Sequence, residues 1–197
     1  MQTEVIMTGI GGQGIQLCAK VLALAATNEG RQAMLSAHYG GEMRGGETEA
    51  SVVVGDTTLR ALPILPSTWS AFVMHPNHWP SVRDRLRPDA VVVLNSSIMA
   101  AEAEGVDGQV FAIPADAIAA SVSAPMGAGF VLLGAYCAIT GLVGLDSLVD
   151  AMKQLVPPYR TQHVVANEAS LRAGAQAAPL GAAPAWTTVP PQNAGAR

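Results

Sequence analysis

Gly9-Ile10-Gly11-Gly12-Gln13-Gly14 is the stretch whose residue types and spacing could do chemistry. Glu4-Val5-Ile6-Met7-Thr8 before it reads as a short buried strand. Ile15 to Ala26 after it is rich in helix formers and ends near Asn28 and Gly30. A strand, a glycine turn and a helix bring free backbone N–H groups and the positive end of a helix dipole together, an arrangement that can hold an anion. The spacing fits G-x-G-x-x-G, a nucleotide-binding fingerprint. That fingerprint also wants a carboxylate about 20 residues further on, for the ribose hydroxyls. The next strand, Gln32 to Ala37, has none, which argues against an ordinary NAD site. Glycines that merely let the first helix pack tightly on a sheet are the alternative.

A second glycine-rich segment follows, His38-Tyr39-Gly40-Gly41-Glu42-Met43-Arg44-Gly45-Gly46-Glu47. It feeds a strand, Thr48 to Val54, and a turn at Gly55-Asp56. Arg44 among these glycines is either an anion or carboxylate clamp, which a guanidinium fork suits, or a solvated loop arginine. The candidate binding residues are therefore Gly9, Gly11, Gly12, Gln13, Gly14, Arg44, Gly45 and Gly46. A side chain at Gly12 is expected to clash with whatever the turn packs against.

No catalytic residue and no metal-ligand set emerges. His75-Pro76-Asn77-His78 lacks a third ligand nearby and reads as a loop or helix start. Neither a G-x-S-x-G elbow nor a Walker sequence is present. Two cysteines cannot hold a four-cysteine iron–sulfur cluster. Cys18 and Cys137 both lie in apolar helical contexts and read as reduced core residues. Gly55-Asp56-Thr57 is not the Gly-Asp-Gly start of a thiamine diphosphate motif. A binding or assembly subunit is the expectation.

The elements that must position the glycine turns alternate. Strands are expected at Ser70–Met74, Ala90–Leu94 and Gln109–Ile113. Helices are expected at Asn77–Leu86, from Pro114 to Ala119, over Gly129–Ile139 (apolar all round), over Leu145–Val156 as an amphipathic stripe stopped by Pro157-Pro158, and over Val164–Ala173 with Gly174 as its C-cap. The fold class is α/β: a three-layer, Rossmann-like arrangement with a mainly parallel sheet and helices on both faces. One domain is expected over residues 1–174. Residues 175–197, rich in alanine and proline, are expected to form a tail, extended or laid on a partner subunit with Trp186 as anchor.

Composition narrows the class further. Half of the residues are hydrophobic and only 13% are charged, so much surface is expected to be covered by other chains. A net charge of −4, with no basic stripe, argues against nucleic acid as a partner. The start lacks a signal-peptide pattern, and the uncharged region from Ala117 to Leu145 is broken by glycines and Pro125. A cytoplasmic protein with no membrane partner is expected.

The two glycine segments together, Gly9 to Gly14 and Tyr39 to Gly46, resemble the gamma subunit, or gamma domain, of 2-oxoacid:ferredoxin oxidoreductases. Those enzymes act on pyruvate, 2-oxoglutarate, branched 2-oxoacids, indolepyruvate or phenylglyoxylate. The resemblance continues through Val91 to Ser97, Ile113 to Ala119, Leu132 to Ala135 and Asn167 to Gly174, and so covers roughly residues 4–174. It departs at Gly129, where relatives often carry asparagine, and at Ser70 or Ala71, where an aspartate is frequent.

The resemblance implies a subunit of an enzyme that converts a 2-oxoacid and coenzyme A into acyl-CoA, carbon dioxide and two electrons. Thiamine diphosphate and magnesium would lie between alpha- and beta-type subunits. Iron–sulfur clusters, partly on a ferredoxin-like (delta) subunit, would pass electrons to ferredoxin or to an NAD-linked subunit. This chain alone would hold no cofactor and be inactive. Its implied role is to complete the assembly and the active site, with coenzyme A as the cosubstrate it could touch. A stand-alone nucleotide- or CoA-binding protein and a purely structural assembly subunit are the alternatives.

Overall fold

The structure is a computed structural model that describes residues 1–39, 45–60, 63–99 and 105–186. It is built on six strands: β1 (Gln2–Ile10), β2 (Gln32–Tyr39), β3 (Glu47–Gly55), β4 (Thr68–Val73), β5 (Leu86–Asn95) and β6 (Gly108–Ile113). They form one sheet in the order β2-β3-β1-β4-β5-β6. β1, β4, β5 and β6 run parallel, while β3 is antiparallel to both β1 and β2. The expected parallel core is present, with an antiparallel pair added at one edge.

The helices are α1 (Ile15–Asn28), α2 (Trp79–Arg83), α3 (Ser96–Met99), α4 (Ala115–Ser121), α5 (Ala128–Thr140), α6 (Leu145–Leu155) and α7 (Val164–Ala177). They cover both faces, unequally. Val5 and Met7 of β1 join a core shared with α1, α4, α5, α6 and α7. Ile6, pointing the other way, packs with Trp79 and Val82 of α2 and Met99 of α3. Strands buried on both faces explain the unbroken run Ala90-Val91-Val92-Val93-Leu94 in β5.

Two polar links tie the central strands to the helical layer. Buried Ser70 donates to the Glu4 carbonyl at 2.9 Å and lies 2.8 Å from the Tyr136 hydroxyl of α5. The Glu4 carboxylate is itself buried, accepts from the Trp69 N–H and pairs with Arg87. Ser70 is thus a structural bridge. Asn95, fully buried at the end of β5, accepts from the N–H groups of Ser97 and Ala115 and donates to Asp116, joining the start of α3 to that of α4.

Two expectations are corrected. The helix expected over Asn77–Leu86 is a 3-10 turn at Pro76–His78 followed by the short α2, because Leu86 already pairs with Thr68 in the sheet. Gly174 does not end its helix: α7 runs on to Ala177. A Cβ on Gly174 would lie 1.8 Å from the Val131 carbonyl of α5, and one on Gly134 would lie 2.0 Å from the Leu171 carbonyl of α7. These two glycines let the helix backbones touch. Trp186 also bonds within this chain: its indole N–H donates to the Leu142 carbonyl at 3.1 Å. Residues 187–197 lie outside the described part.

The glycine seam yields a direct test. Gly174→Ala should raise helix propensity yet destabilise, because the added methyl forces α5 and α7 apart; overpacking of this kind costs about 1–3 kcal/mol. Thermal melting should show a fall of several degrees, whereas the nearby exposed Gln176→Ala should melt as wild type.

Candidate functional site

The glycine turn sits at the carboxyl end of β1. From there the chain leaves through α1 toward β2 on one side, and β4 lies on the other. In α/β sheets such a switch of direction opens a crevice beyond the strand ends. Gly11 donates its N–H to the Gly46 carbonyl at 2.9 Å, so the first glycine turn and the end of the second segment are joined. A Cβ on Gly11 would come within 3.2 Å of the Gly45 nitrogen.

The other glycines have separate reasons. Gly12 and Gly14 have φ of 102° and 76°, and Gly45 has 72°, all in the region that favours glycine. Nothing lies within 4 Å of a Cβ built on Gly12, so the expected clash there is corrected: the constraint is backbone conformation, not space. Gly9 is limited by packing, since its Cβ would meet Gln13 Oε1 at 2.6 Å. The Gln13 side chain turns back into the loop: its Oε1 accepts from the Ile10 N–H at 2.9 Å and its amide donates to the Met74 carbonyl at 3.4 Å. Arg44 lies outside the described residues.

A cavity of about 520 Å³ opens beside this turn. Of the candidate residues, Gly12, Gln13 and Gly14 line it, whereas Gly9, Gly11, Gly45 and Gly46 are not among its lining residues. Leu17, Cys18, Met126, Phe130, Leu155, Val156 and Pro157 form an apolar wall, while Lys20, Arg160, His163 and Asn167 supply polar ends. Sequence reasoning missed Lys20, Arg160, His163 and Asn167. They come from α1, from a 3-10 turn at Pro158–His163 and from α7, which only the fold brings together.

Three helices begin at this cavity. α1, α5 and α7 start at Ile15, Ala128 and Val164, and none has a side-chain cap or an acidic residue in its first turn. α4 and α6, which begin elsewhere, carry Asp116 and Asp146 in theirs. Uncapped N-terminal N–H groups and aligned dipoles give each of the three starts a partial positive charge. With Lys20 and Arg160 added, the cavity is electropositive at one end and greasy along its wall. It suits an amphipathic anion.

Gly129 explains part of that shape. A Cβ there would lie 2.7 Å from the Gln13 carbonyl and 3.3 Å from Cys18 Sγ, so the first turn of α5 presses on the glycine turn. A larger side chain at this position would have to displace this contact.

Neither cysteine has the environment of a nucleophile. Burial pushes the Cys18 thiol up to about 12 and drives Cys137 in the same direction. His75 acts as an N-cap, its Nδ1 accepting from the Asn77 N–H, and His78 lies 3.4 Å from Glu47. Among the described residues no group of three His, Cys, Asp or Glu side chains could hold a metal ion. Nor is any described helix long and apolar enough to cross a membrane.

The cavity lies at the switch point of the α/β sheet, with Lys20, Arg160 and three helix starts around it. A match to the pyruvate ferredoxin/flavodoxin oxidoreductase family spans residues 4–177. The pyruvate synthase subunit PorC of Methanothermobacter thermautotrophicus is 31% identical over 156 residues, covering 78% of this chain and 85% of the relative. The 2-oxoglutarate synthase subunit KorC of Methanocaldococcus jannaschii is 28% identical over 160 residues, covering 80% and 85%. The solved keto/oxoacid ferredoxin oxidoreductase gamma subunit from Geobacter sulfurreducens superposes with a TM-score of 0.76 at 25% identity, over 89% of this chain and 98% of that one. The chain belongs to the pyruvate ferredoxin/flavodoxin oxidoreductase family, as a gamma-type subunit.

The buried thiols set an alkaline limit. An unfolded thiol ionises near pH 8.5, whereas the folded chain keeps Cys18 protonated to about 12. The unfolded state therefore releases protons first, and stability is lost as pH rises through this window. Denaturant midpoints should fall between pH 8 and pH 10, and Cys18→Ala should make that fall shallower. Identical slopes in both proteins would show that Cys18 is not the buried acid described.

Proposed function

We propose that this chain is the gamma-type subunit of a multi-subunit 2-oxoacid:acceptor oxidoreductase and that its glycine-turn cavity receives the phosphate-bearing part of coenzyme A. The convergence of three uncapped helix starts with Lys20 and Arg160 carries the reading. A phosphate gains from backbone N–H donors and from charge-assisted bonds to Lys and Arg, while the apolar wall suits the pantetheine arm. Arg44, beside Gly45, is proposed as a further clamp on the same anion.

The reaction is the oxidative decarboxylation of a 2-oxoacid: coenzyme A takes the acyl group, carbon dioxide leaves, and two electrons pass to ferredoxin or another acceptor. Thiamine diphosphate and magnesium belong to alpha- and beta-type partners, and iron–sulfur clusters to those and to a ferredoxin-like partner. Two core cysteines in this sequence support that division. The gamma-type chain binds and orients the cosubstrate and closes the active site in the cytoplasm.

The test uses the native complex, with coenzyme A affinity measured by titration calorimetry. Lys20→Ala and Arg160→Ala should each weaken binding about tenfold, as expected for one charged hydrogen bond, and more weakly at high salt. Leu155→Ala should affect the affinity less than it affects melting. Unchanged affinity in both charge variants would remove coenzyme A from this cavity.

A further inference from the structure

The segment after α7 lies outside the family match, which ends at residue 177, yet it makes regular contacts with the domain. The N–H groups of Gly181, Ala183 and Ala185 donate to the carbonyls of Ala138, Ile139 and Thr140 at 2.8, 3.1 and 2.7 Å. Those are the last three carbonyls of α5. The carbonyl before them, on Cys137, accepts from the Gly141 N–H, with Gly141 in the left-handed conformation. All four carbonyls that a helix end leaves without an intrahelical donor are thus paired. Three of the four partners come from this segment.

The segment's sequence fits the task. Donors alternate at 181, 183 and 185, and Pro184 occupies a position that needs no donor. The methyls of Ala183 and Ala185 are 4% exposed, and larger side chains would hold the backbone away from α5. Trp186 closes the run. Its indole bonds to Leu142, the Arg31 guanidinium stacks 4.1 Å from its ring centroid, and Thr3 donates to the Ala185 carbonyl at 3.3 Å.

We propose that residues 178–186 are a clasp that completes the buried end of α5 and, through that helix, positions the glycine turn at its other end. Every residue of α5 is buried with the clasp in place, and losing the clasp would leave its last three carbonyls without these partners. The first turn of the same helix presses Gly129 against the Gln13 carbonyl. A helix held at one end and seated at the other transmits loss of either hold. Trp186 is a positioning residue for the turn.

Amide hydrogen exchange on the full chain, resolved by residue, tests the clasp. Gly181, Ala183 and Ala185 should be protected at least a hundredfold over Ala182. Exchange in all four at similar rates would overturn the assignment. Truncation after Trp186 should leave melting and exchange unchanged, whereas truncation after Ala177 should lower the melting temperature by more than about 5 °C. A truncated chain that melted within a degree of the full one would also overturn it.

Trp186→Ala and Arg31→Ala weaken the clasp without removing its backbone and serve if the truncated chain does not fold. In both, exchange at Gln13 and Cys18, in and after the glycine turn, should rise at least tenfold. A rise confined to the Gly181–Ala185 amides would show a clasp with no positioning role. These readouts need no coenzyme A, so their failure is separable from failure of the cosubstrate reading.

Discussion

A helix with every residue buried must find partners for its backbone at both ends and tolerate neighbours at van der Waals distance all round. α5 meets that constraint three ways, and much of the molecule follows. Along its length, Gly134 and the facing Gly174 allow backbone contact with α7. At its last turn, an extended segment supplies the missing donors. Its first turn lies against the glycine loop, where Gly129 leaves no room for a side chain. The site is therefore one end of the core's central rod, and its geometry is inherited from packing far from the ligand.

The cavity's charge has two origins. Lys20 and Arg160 supply full charges at the cavity, and the backbone adds to them. Three helix starts supply partial charges that are fixed by the fold and need no reorganisation when an anion enters. Carboxylates would neutralise them, and the first turns of these three helices carry none. Of the helices that begin away from the cavity, α4 and α6 carry Asp116 and Asp146 in their first turns, where a carboxylate interacts favourably with the helix dipole.

The antiparallel pair at the sheet edge has a matching part. β3 runs back beside β1 in continuous register from Gln2–Gly55 to Ile10–Glu47, which brings Gly46 level with the glycine turn. Gly11 can then bond to Gly46. Farther along the face opposite α1, Arg85 and Glu49 form a two-pronged ion pair that pins the chain after α2 to β3.

The sequence alone determined the elements whose signals are local. β5 is legible in its five apolar residues because a strand buried on both faces needs no alternation, and α1 in its helix formers after a glycine turn. α6 showed itself by its apolar stripe and its prolines. The family was legible in two glycine segments, since a positive φ or a close approach admits few other residues. Tertiary structure decided what depends on residues distant in the chain. Gly174 looks like a helix stop until Val131 is placed against it, and Trp186 meets Leu142 and Arg31 only in the folded chain. Lys20, Arg160 and His163 carry no motif and become a site only when α1 and the 3-10 turn before α7 meet. Local chemistry writes turns and periodicity into a sequence; which distant groups share one cavity is settled by packing, and packing has no period to read.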